Sequence, residues 1–587
     1  MIDLTTICAI SFFSIACLLF VCNFVRRTIY TLRHWVADLV ARHIIYPVFI
    51  RQRRFFGPFT RFHLLLLTVF WAFSISCTLV GIQSMADARL RTGTMSVINL
   101  TFLLVSQPSL VADSLGLSLD SYLKAHGAVA WMAFIQALAH VAISMKMEGL
   151  SVRGTSQLHG ILAFSAFGFA ILLLCLRRHF YEFFIKLHYA LGFFAVYAVW
   201  RHVRARKTFS HVYIFAGIVC FACTFMLHMI KLIGRNFGPG RCFARASFVA
   251  RNDAVEIVLS SIKPFRFRPG QFIYLRILTM NKFSILQSHP FAITWCSETQ
   301  RGHADTISLL ATDRGDFTHM LVDHAATKKS CLACVDGPYG DTIDLSPYGS
   351  VVMFATGIGI AAQIPFIKEI VESRLRWESP TRRLSVVWEV DHQGQLDWVF
   401  NWMQELLDKD KGNYVLRISI FHSNPSADPE SRGDHDRIFI SPQRMNVKQV
   451  LDEELRLGKG RVLVTVAAHQ SVRGAVRDSV LHHMSRLKNG KISEGQWETP
   501  KKDINTQIQL MEKVMKAFIR SAEVLRQENS SIESTETRLH DLLHSIESVW
   551  RALSLPRRLS QGVERVQSIE LRELSFQPDE GRPSTAV

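Results

Sequence analysis

The sequence predicts a multi-pass α-helical membrane domain of about seven spans, followed by a cytoplasmic antiparallel β-barrel and an α/β doubly wound domain. Three observations carry this. Apolar segments long enough to cross a bilayer fill the chain up to about residue 235, and none follows. Short alternating runs rich in β-formers then occupy the stretch from about 240. From 350 a buried apolar run, a glycine turn and a helical pattern open β-α-β grammar. A length of 587 residues accommodates several domains, and 49% hydrophobic residues with a mean hydropathy of +0.17 exceed what a soluble chain needs.

The expected spans lie near 5–25, 62–84, 95–117, 125–146, 158–176, 181–200 and 210–233; Pro108 and Asp113 interrupt the third. The first resembles a signal peptide in its apolar stretch but lacks a basic start, and is read as a retained anchor. Arg26, Arg27, Arg33, Arg42, Arg51, Arg53, Arg54 and Arg61 mark the following loop as cytoplasmic. Counting onward, the fourth and sixth spans both run from inside to outside, and everything after 235 lies in the cytoplasm.

The fourth span, within KAHGAVAWMAFIQALAHVA, carries His126 and His140; the sixth, within KLHYALGFFAVYAVWRHV, carries His188 and His202. An imidazole in hydrocarbon is costly unless it is paired or binds something. Fourteen residues amount to nearly four helical turns and a rise of about 21 Å, so each helix presents two imidazoles from one face. A lone histidine of this kind is most simply a core residue bonded to a neighbouring helix. The duplicated spacing on two parallel helices points instead to matched ligand pairs, His126 with His188 inside and His140 with His202 outside. Such pairs supply two axial imidazoles to each of two stacked haems.

The net charge of +18 is largely accounted for by cytoplasmic membrane loops, and no nucleic-acid motif accompanies it. Arg201, Arg204, Arg206 and Lys207 break the charge rule by facing outward beside the outer pair. They read either as an interfacial snorkelling cluster or as a patch that draws anionic substrates such as ferric chelates. The eleven cysteines form no disulfide framework: most fall in spans, and Cys331 and Cys334 lack a second ligand pair for zinc and read as strand packing.

In the cytoplasmic part, FARASFVARNDAVEIVLS and FRFRPGQFIYLRI predict barrel strands. QSHPFAITW, followed by a segment with Arg314, Gly315, Phe317 and Thr318, mixes an aromatic, hydroxyls and exposed backbone of the kind that wraps an isoalloxazine ring. In SVVMFATGIGIAAQIPFIKEI, Gly357 and Gly359 permit close approach of a phosphate to the following helix N-terminus, or simply make a tight turn. RRLSVVWEVD, YVLRISIF and RVLVTVAA predict further parallel strands.

The paired histidine helices, the HPF segment, DGPYG at 336–340, TGIGIAAQIP and VVWEVDHQGQLDWVFNWMQELL at 386–407 together resemble the fungal ferric-chelate reductase family, which belongs with the NADPH oxidases. The resemblance covers roughly residues 20–480. It implies a ferric reductase-like di-haem membrane domain over 1–235, an FAD-binding barrel of ferredoxin-reductase type over 236–345, an NAD(P)H-binding domain over 346–487, and a variable charged insert and tail over 488–587. It also implies two b-type haems on His126, His140, His188 and His202. FAD contacts fall on His289, Pro290 and Phe291, with a hydroxyl from Thr294. NADPH is assigned to Gly357 and Gly359 after the turn of Gly337, Pro338, Tyr339 and Gly340. RVQSIELRELSF resembles the family's terminal segment, whose aromatic covers the flavin, a place for Phe576.

The implied activity is transfer of electrons from cytosolic NADPH, through FAD and the haems, to ferric iron in chelates or siderophore-like complexes outside a membrane, the plasma membrane by expectation. A ferrous-iron uptake system is the implied partner. An NADPH oxidase-like enzyme that makes superoxide, and a haem-binding regulator without turnover, are the alternatives. Departures from the family pattern are Ala292 where a hydroxyl follows HPF, Ile358 between the nucleotide glycines, and Ala467-Ala468-His469 ahead of Arg477 where relatives have Cys-Gly-Pro. These predict altered turnover or nucleotide preference, because hydride transfer depends on close alignment.

Overall fold

The computed structural model describes residues 36–490 and 568–573, apart from 37–38, 51–57, 150–153, 178–179, 205–210, 239–240, 280–283, 285–286, 299–302, 313–315, 328–329, 341, 377, 423–429, 433–436 and 459. The expected first span at 5–25, most of the charged insert and tail expected over 488–587, and Phe576 lie outside the described residues.

The membrane part consists of α1 (Arg61–Leu79), α2 (Met85–Leu103), α3 (Pro108–Ser114), α4 (Leu119–Glu148), α5 (Thr155–Leu172), α6 (Tyr181–Arg204) and α7 (Val212–Asn236). Hydroxyls of Thr60, Ser84 and Ser118 cap α1, α2 and α4 by accepting backbone N–H groups that have no intrahelical partner. Among the described residues, five helices are long and apolar enough to span a membrane, with a sixth contributed by α2 and α3 as a pair bent by 89°. The third expected span, 95–117, is thus not one continuous helix. The helical run starts earlier, at Met85, and breaks before Pro108, whose ring removes a donor and holds Gln107 extended at φ −138°.

Within this bundle a closed set of amides and hydroxyls joins three helices. Asn99 Nδ2 donates to Gln136 Oε1 at 2.7 Å, and Gln136 Nε2 donates to Ser74 Oγ and Thr78 Oγ1 at 3.1 and 2.9 Å. All four residues are buried. Where hydrocarbon offers no competing water, such bonds fix the register of α4 against α1 and α2.

Alternation of apolar and polar residues then builds β1 (Ala244–Arg251), β2 (Ala254–Ser260), β3 (Phe272–Ile277), β4 (His289–Glu298), β5 (Ala304–Thr312) and β6 (Cys331–Tyr339). They close into an antiparallel barrel in the order β6-β1-β2-β5-β4-β3. Its core holds Ile257, Leu259, Ile273, Leu275, Ile293 and Leu309, capped by Phe317 and Leu321 of α8 (Asp316–Thr327).

The last domain is a seven-stranded sheet of β7 (Ser350–Thr356), β8 (Arg383–Val390), β9 (Leu416–His422), β10 (Glu430–Arg432), β11 (Ile438–Ser441), β12 (Arg461–Ala467) and β13 (Ser568–Glu573). The order is β10-β11-β9-β8-β7-β12-β13, parallel throughout except for β10. The near-continuous Val/Ile/Leu runs of β7, β8 and β12 are what a sheet covered on both faces requires. The cover includes α9 (Ile360–Leu375), α10 (Phe400–Lys409), α11 (Val447–Leu457) and α12 (Gln470–Gly490). The barrel and sheet meet through stacked Trp295 and Trp402 and through buried Lys368, whose Nζ donates to Cys296 O at 2.7 Å.

Candidate functional site: paired imidazoles above a barrel and nucleotide fold

Helices α4 and α6 bring the four intramembrane histidines together as two pairs. The ring centroids of His126 and His188 are 6.4 Å apart, and those of His140 and His202 are 6.2 Å apart. Two imidazoles on opposite sides of one metal ion, each with a metal–nitrogen bond of about 2.0–2.1 Å and a ring centre roughly 1.1 Å behind its nitrogen, place their centroids about 6.3 Å apart. Both pairs have a spacing at which the two imidazoles could hold one metal ion between them.

The outer pair is held by a device that occurs twice. His140 Nδ1–H donates to Arg89 O of α2 at 2.8 Å, and His202 Nδ1–H donates to Ser156 O of α5 at 2.7 Å. Four residues after each of these carbonyls stands a glycine, Gly93 or Gly160. A Cβ there would lie 2.8 Å from the Nδ1 of the histidine above it. With the proton fixed on Nδ1, the lone pair sits on Nε2, the arrangement a metal-ligating histidine requires. Sequence reading passed over both glycines. Their signal was a glycine in a helix interior, which costs about 1 kcal/mol relative to alanine and so asks for a packing reason.

Immediately below, β4 carries the HPF segment. The His289 ring stacks on Phe317 at 3.9 Å, and its Nε2 lies 3.7 Å from Glu182 Oε1 in the first turn of α6. Glu182 precedes His188 by six residues, about 9 Å of helix rise, so this segment sits directly beneath the inner imidazole pair. Burial, with Lys186 adding to it, holds the His289 imidazole down to about 4, so the ring is neutral at physiological pH. Phe291 packs into the barrel core, Pro290 is exposed at the edge, and Thr294 is fully buried. Gln287 Oε1, His289 Nε2 and Thr294 Oγ1 are buried polar atoms with no hydrogen-bond partner among the described residues. Their chemistry suits a polar heteroaromatic group laid along this strand.

The nucleotide turn follows β7. Gly357 has φ +46°, a conformation that glycine adopts without strain, and its carbonyl accepts from Trp388 Nε1 at 3.0 Å. At Gly359 a Cβ would fall 1.8 Å from Ala467 O, so only glycine lets the start of α9 lie against the end of β12. Thr356 Oγ1 accepts from His469 N at 2.6 Å and laces the same two segments. Here two of the departures meet: Ala292 of the barrel packs with Ala362 of α9 and Ala467 of β12 in one small apolar cluster. The boundary between barrel and nucleotide sheet is therefore lined by methyl groups at the positions where relatives are expected to carry a hydroxyl and a thiol.

Gly337, Pro338, Tyr339 and Gly340 lie at the end of β6, against α3 and α7. Tyr339 OH donates to Asp336 Oδ1 at 2.6 Å, Arg235 Nε donates to Gly337 O at 3.0 Å, and Gly340 N donates to Asp113 Oδ1 at 3.3 Å.

A helical membrane domain is thus joined to a closed antiparallel barrel and a mostly parallel sheet with a glycine turn after one of its central strands. Residues 92–199 match the ferric reductase like transmembrane component, 243–343 an FAD-binding domain and 348–509 the ferric reductase NAD binding domain. Over these three stretches the chain is similar to the ferric reductases. It is 28% identical over 255 residues to ferric/cupric reductase transmembrane component 7 of Saccharomyces cerevisiae, covering 42% of this chain and 38% of that protein. It is 26% identical over 203 residues to ferric/cupric reductase transmembrane component 2 of the same yeast, covering 34% and 26%. Respiratory burst oxidase homolog protein B of Arabidopsis thaliana is 25% identical over 229 residues, covering 32% and 26%. The matched stretches span well under half of each of these relatives.

Proposed function

We propose that the chain passes electrons from cytosolic NADPH, by way of FAD and two b-type haems, to ferric iron in chelates on the far side of the membrane, the plasma membrane in our reading. The observation that carries this is the pair of imidazole couples at 6.4 and 6.2 Å on two apolar helices. Among the described residues no group of three or more His, Cys, Asp or Glu side chains could hold a metal ion. A metal held by two imidazoles alone is under-coordinated, so a group that supplies the remaining ligands itself would suit these couples. His126 and His188 would hold the inner haem, His140 and His202 the outer. When bound, the nicotinamide supplies a hydride, the flavin converts two-electron to one-electron chemistry, and the haems carry single electrons.

The chain's own residues do the rest. Gly93 and Gly160 bring α2 and α5 close enough for Arg89 O and Ser156 O to fix the outer tautomers. His289, Pro290, Phe291 and Thr294 line the flavin side, with His289 neutral beneath α6. Gly357, Gly359 and the α9 N-terminus receive the nucleotide phosphates. β13 ends with Glu573 opposite Val466, and Phe576, three residues further along the sequence, would cover the flavin in this reading. Arg201 and Arg204, exposed at the end of α6 beside His202, favour an anionic chelate as the external acceptor. Reduction to ferrous iron weakens its hold on hard oxygen ligands and hands it to a ferrous-iron uptake system.

The test is NADPH-driven reduction of a ferric chelate by isolated membranes, with and without superoxide dismutase. Reduction insensitive to the dismutase is expected. Complete sensitivity would transfer the assignment to a superoxide-forming oxidase, and haem reduced by dithionite but never by NADPH would leave a haem-binding regulator.

A further inference from the structure

The seam between membrane helices and flavin barrel is built from specific polar contacts that the electron route, as described so far, does not use. Asp336 is 1% exposed, yet its carboxylate is fully engaged. Oδ2 accepts from His228 Nε2 of α7 at 2.9 Å and from Gln107 Nε2, just before α3, at 3.2 Å; Oδ1 accepts from Tyr339 OH at 2.6 Å. His228 is itself 7% exposed. One residue before Asp336, the backbone of Val335 is gripped by Asn236 of α7 as by a neighbouring strand: Val335 N donates to Asn236 Oδ1 at 2.8 Å, and Asn236 Nδ2 donates to Val335 O at 2.7 Å. Arg235 Nε to Gly337 O, Asp113 Oδ1 from Gly340 N, and Ser109 Oγ with Tyr274 OH at 2.8 Å extend the seam on both sides.

We propose that the segment Val335–Gly340 is a docking key for the membrane domain, with Asp336 and His228 as positioning residues that set the separation of the flavin strand and the inner haem pair. This rests on the electron-transfer reading above. Three features support it. A buried hydrogen-bonded pair adds little net stability, because both groups lose water that they regain on separation, but it is highly selective for one geometry. Its donors come from two different membrane elements, α7 and the α2–α3 bend, so a sliding or tilted barrel satisfies neither. The same barrel carries His289 on β4, 3.7 Å from Glu182 at the foot of the helix that bears His188. Fixing β6 against α3 and α7 therefore fixes β4 against α6. Gly337 and Tyr339 serve the key directly: the glycine carbonyl takes Arg235, and the phenol completes the carboxylate's shell.

The experiment uses the full chain in lipid nanodiscs and compares wild type with His228→Leu, Asp336→Leu and His228→Gln, the last keeping a donor near the Nε2 position. Four readings are taken: haem content, NADPH-driven reduction of a soluble dye that accepts from the flavin, NADPH-driven haem reduction in stopped flow, and hydrogen exchange of the amides of 331–340. Misplacement on the order of 1 Å can cost about 10²-fold in a step that depends on alignment. In the leucine variants, haem reduction is expected to slow by about tenfold or more and protection of 331–340 to fall, with haem content and dye reduction unchanged; His228→Gln recovers most of both losses. Unchanged haem reduction in a leucine variant that retains its haem overturns the proposal, as does equal loss of dye and haem reduction. If both leucine variants fail to assemble, Gln107→Ala decides by the same criteria. Wild-type haem that NADPH never reduces defeats the electron route itself, and the exchange data then report the docking separately.

Discussion

Replacing Gly160 by alanine tests the assignment of the outer site most sharply. The added methyl would stand 2.8 Å from His202 Nδ1 and 2.9 Å from its Cε1, against 3.4 Å or more for ordinary contact, so the ring must retreat by about 0.6 Å. The bond from Nδ1 to Ser156 O, now 2.7 Å, would lengthen to about 3.3 Å, beyond the usual N–H···O range of about 2.7–3.2 Å. Overpacking of this kind costs about 1–3 kcal/mol and the weakened hydrogen bond about 0.5–1.5 kcal/mol. At 1.4 kcal/mol per tenfold, the outer two-imidazole site loses roughly 10- to 1600-fold in affinity. Alanine's better helix propensity, up to about 1 kcal/mol, favours α5 but does nothing for the ring. Haem-to-protein stoichiometry and the reduced-minus-oxidised spectrum are the assay: the variant should keep the inner haem and lose or shift the outer one. Gly168→Ala is the control on the same helix, since its Cβ would meet only Phe134 Cε2 at an ordinary 3.5 Å. Two fully bound haems with unchanged midpoints in Gly160→Ala would refute the reasoning.

The same logic yields further expectations. His140→Ala should lose the outer haem while dye reduction by NADPH stays intact; normal external ferric reduction in that variant would break the proposed route. Ala467→Leu should crowd Ala292 and Ala362 at a cost of about 1–3 kcal/mol. NADPH-driven turnover should then fall about tenfold with the dithionite-reduced haem spectrum unchanged, and an unaltered turnover number would count against the methyl-lined boundary. His289 is held at about 4 in the folded protein against 6.5 when unfolded, so the unfolded state binds more protons between those values. Stability present above pH 6.5 is therefore lost as pH falls toward 4, by roughly 3 kcal/mol. Melting of the solubilised protein across that window should show the loss in wild type and a flatter profile in His289→Gln.

The histidine quartet was legible because its information is local: two pairs at a spacing of fourteen, on segments whose direction follows from counting spans. The strand-turn-helix after 350 was legible for the same reason, as apolar run, glycines and helix follow without interruption. Pro108 signalled a disturbance in the third span, but the 89° bend depends on α3 leaving the bundle to reach β6, which no local pattern encodes. Gly93 and Gly160 act across helices, so their partners are invisible along the chain. His228 stood in an apolar span and by that fact alone asked for a partner. Its partner, Asp336, is 108 residues away in another domain. Ala292 and Ala467 each stood out as a departure, and only the folded chain makes them neighbours.

The last strand of the nucleotide sheet has a consequence for how this protein is made. β13 pairs with β12 along Arg461–Val466, yet Ser568–Glu573 emerges from the ribosome about a hundred residues after Ala467. At roughly 5–20 residues per second, the edge of β12 waits about 5–20 s for its neighbour. During that interval the nucleotide domain is one strand short, with Val462, Val464 and Val466 beside an unpaired edge. Closing so long a loop adds little entropy cost beyond that of a short one, so the delay is kinetic rather than thermodynamic. Assembly of this protein thus includes a period in which a membrane-tethered, incompletely covered sheet must be kept from pairing with other chains.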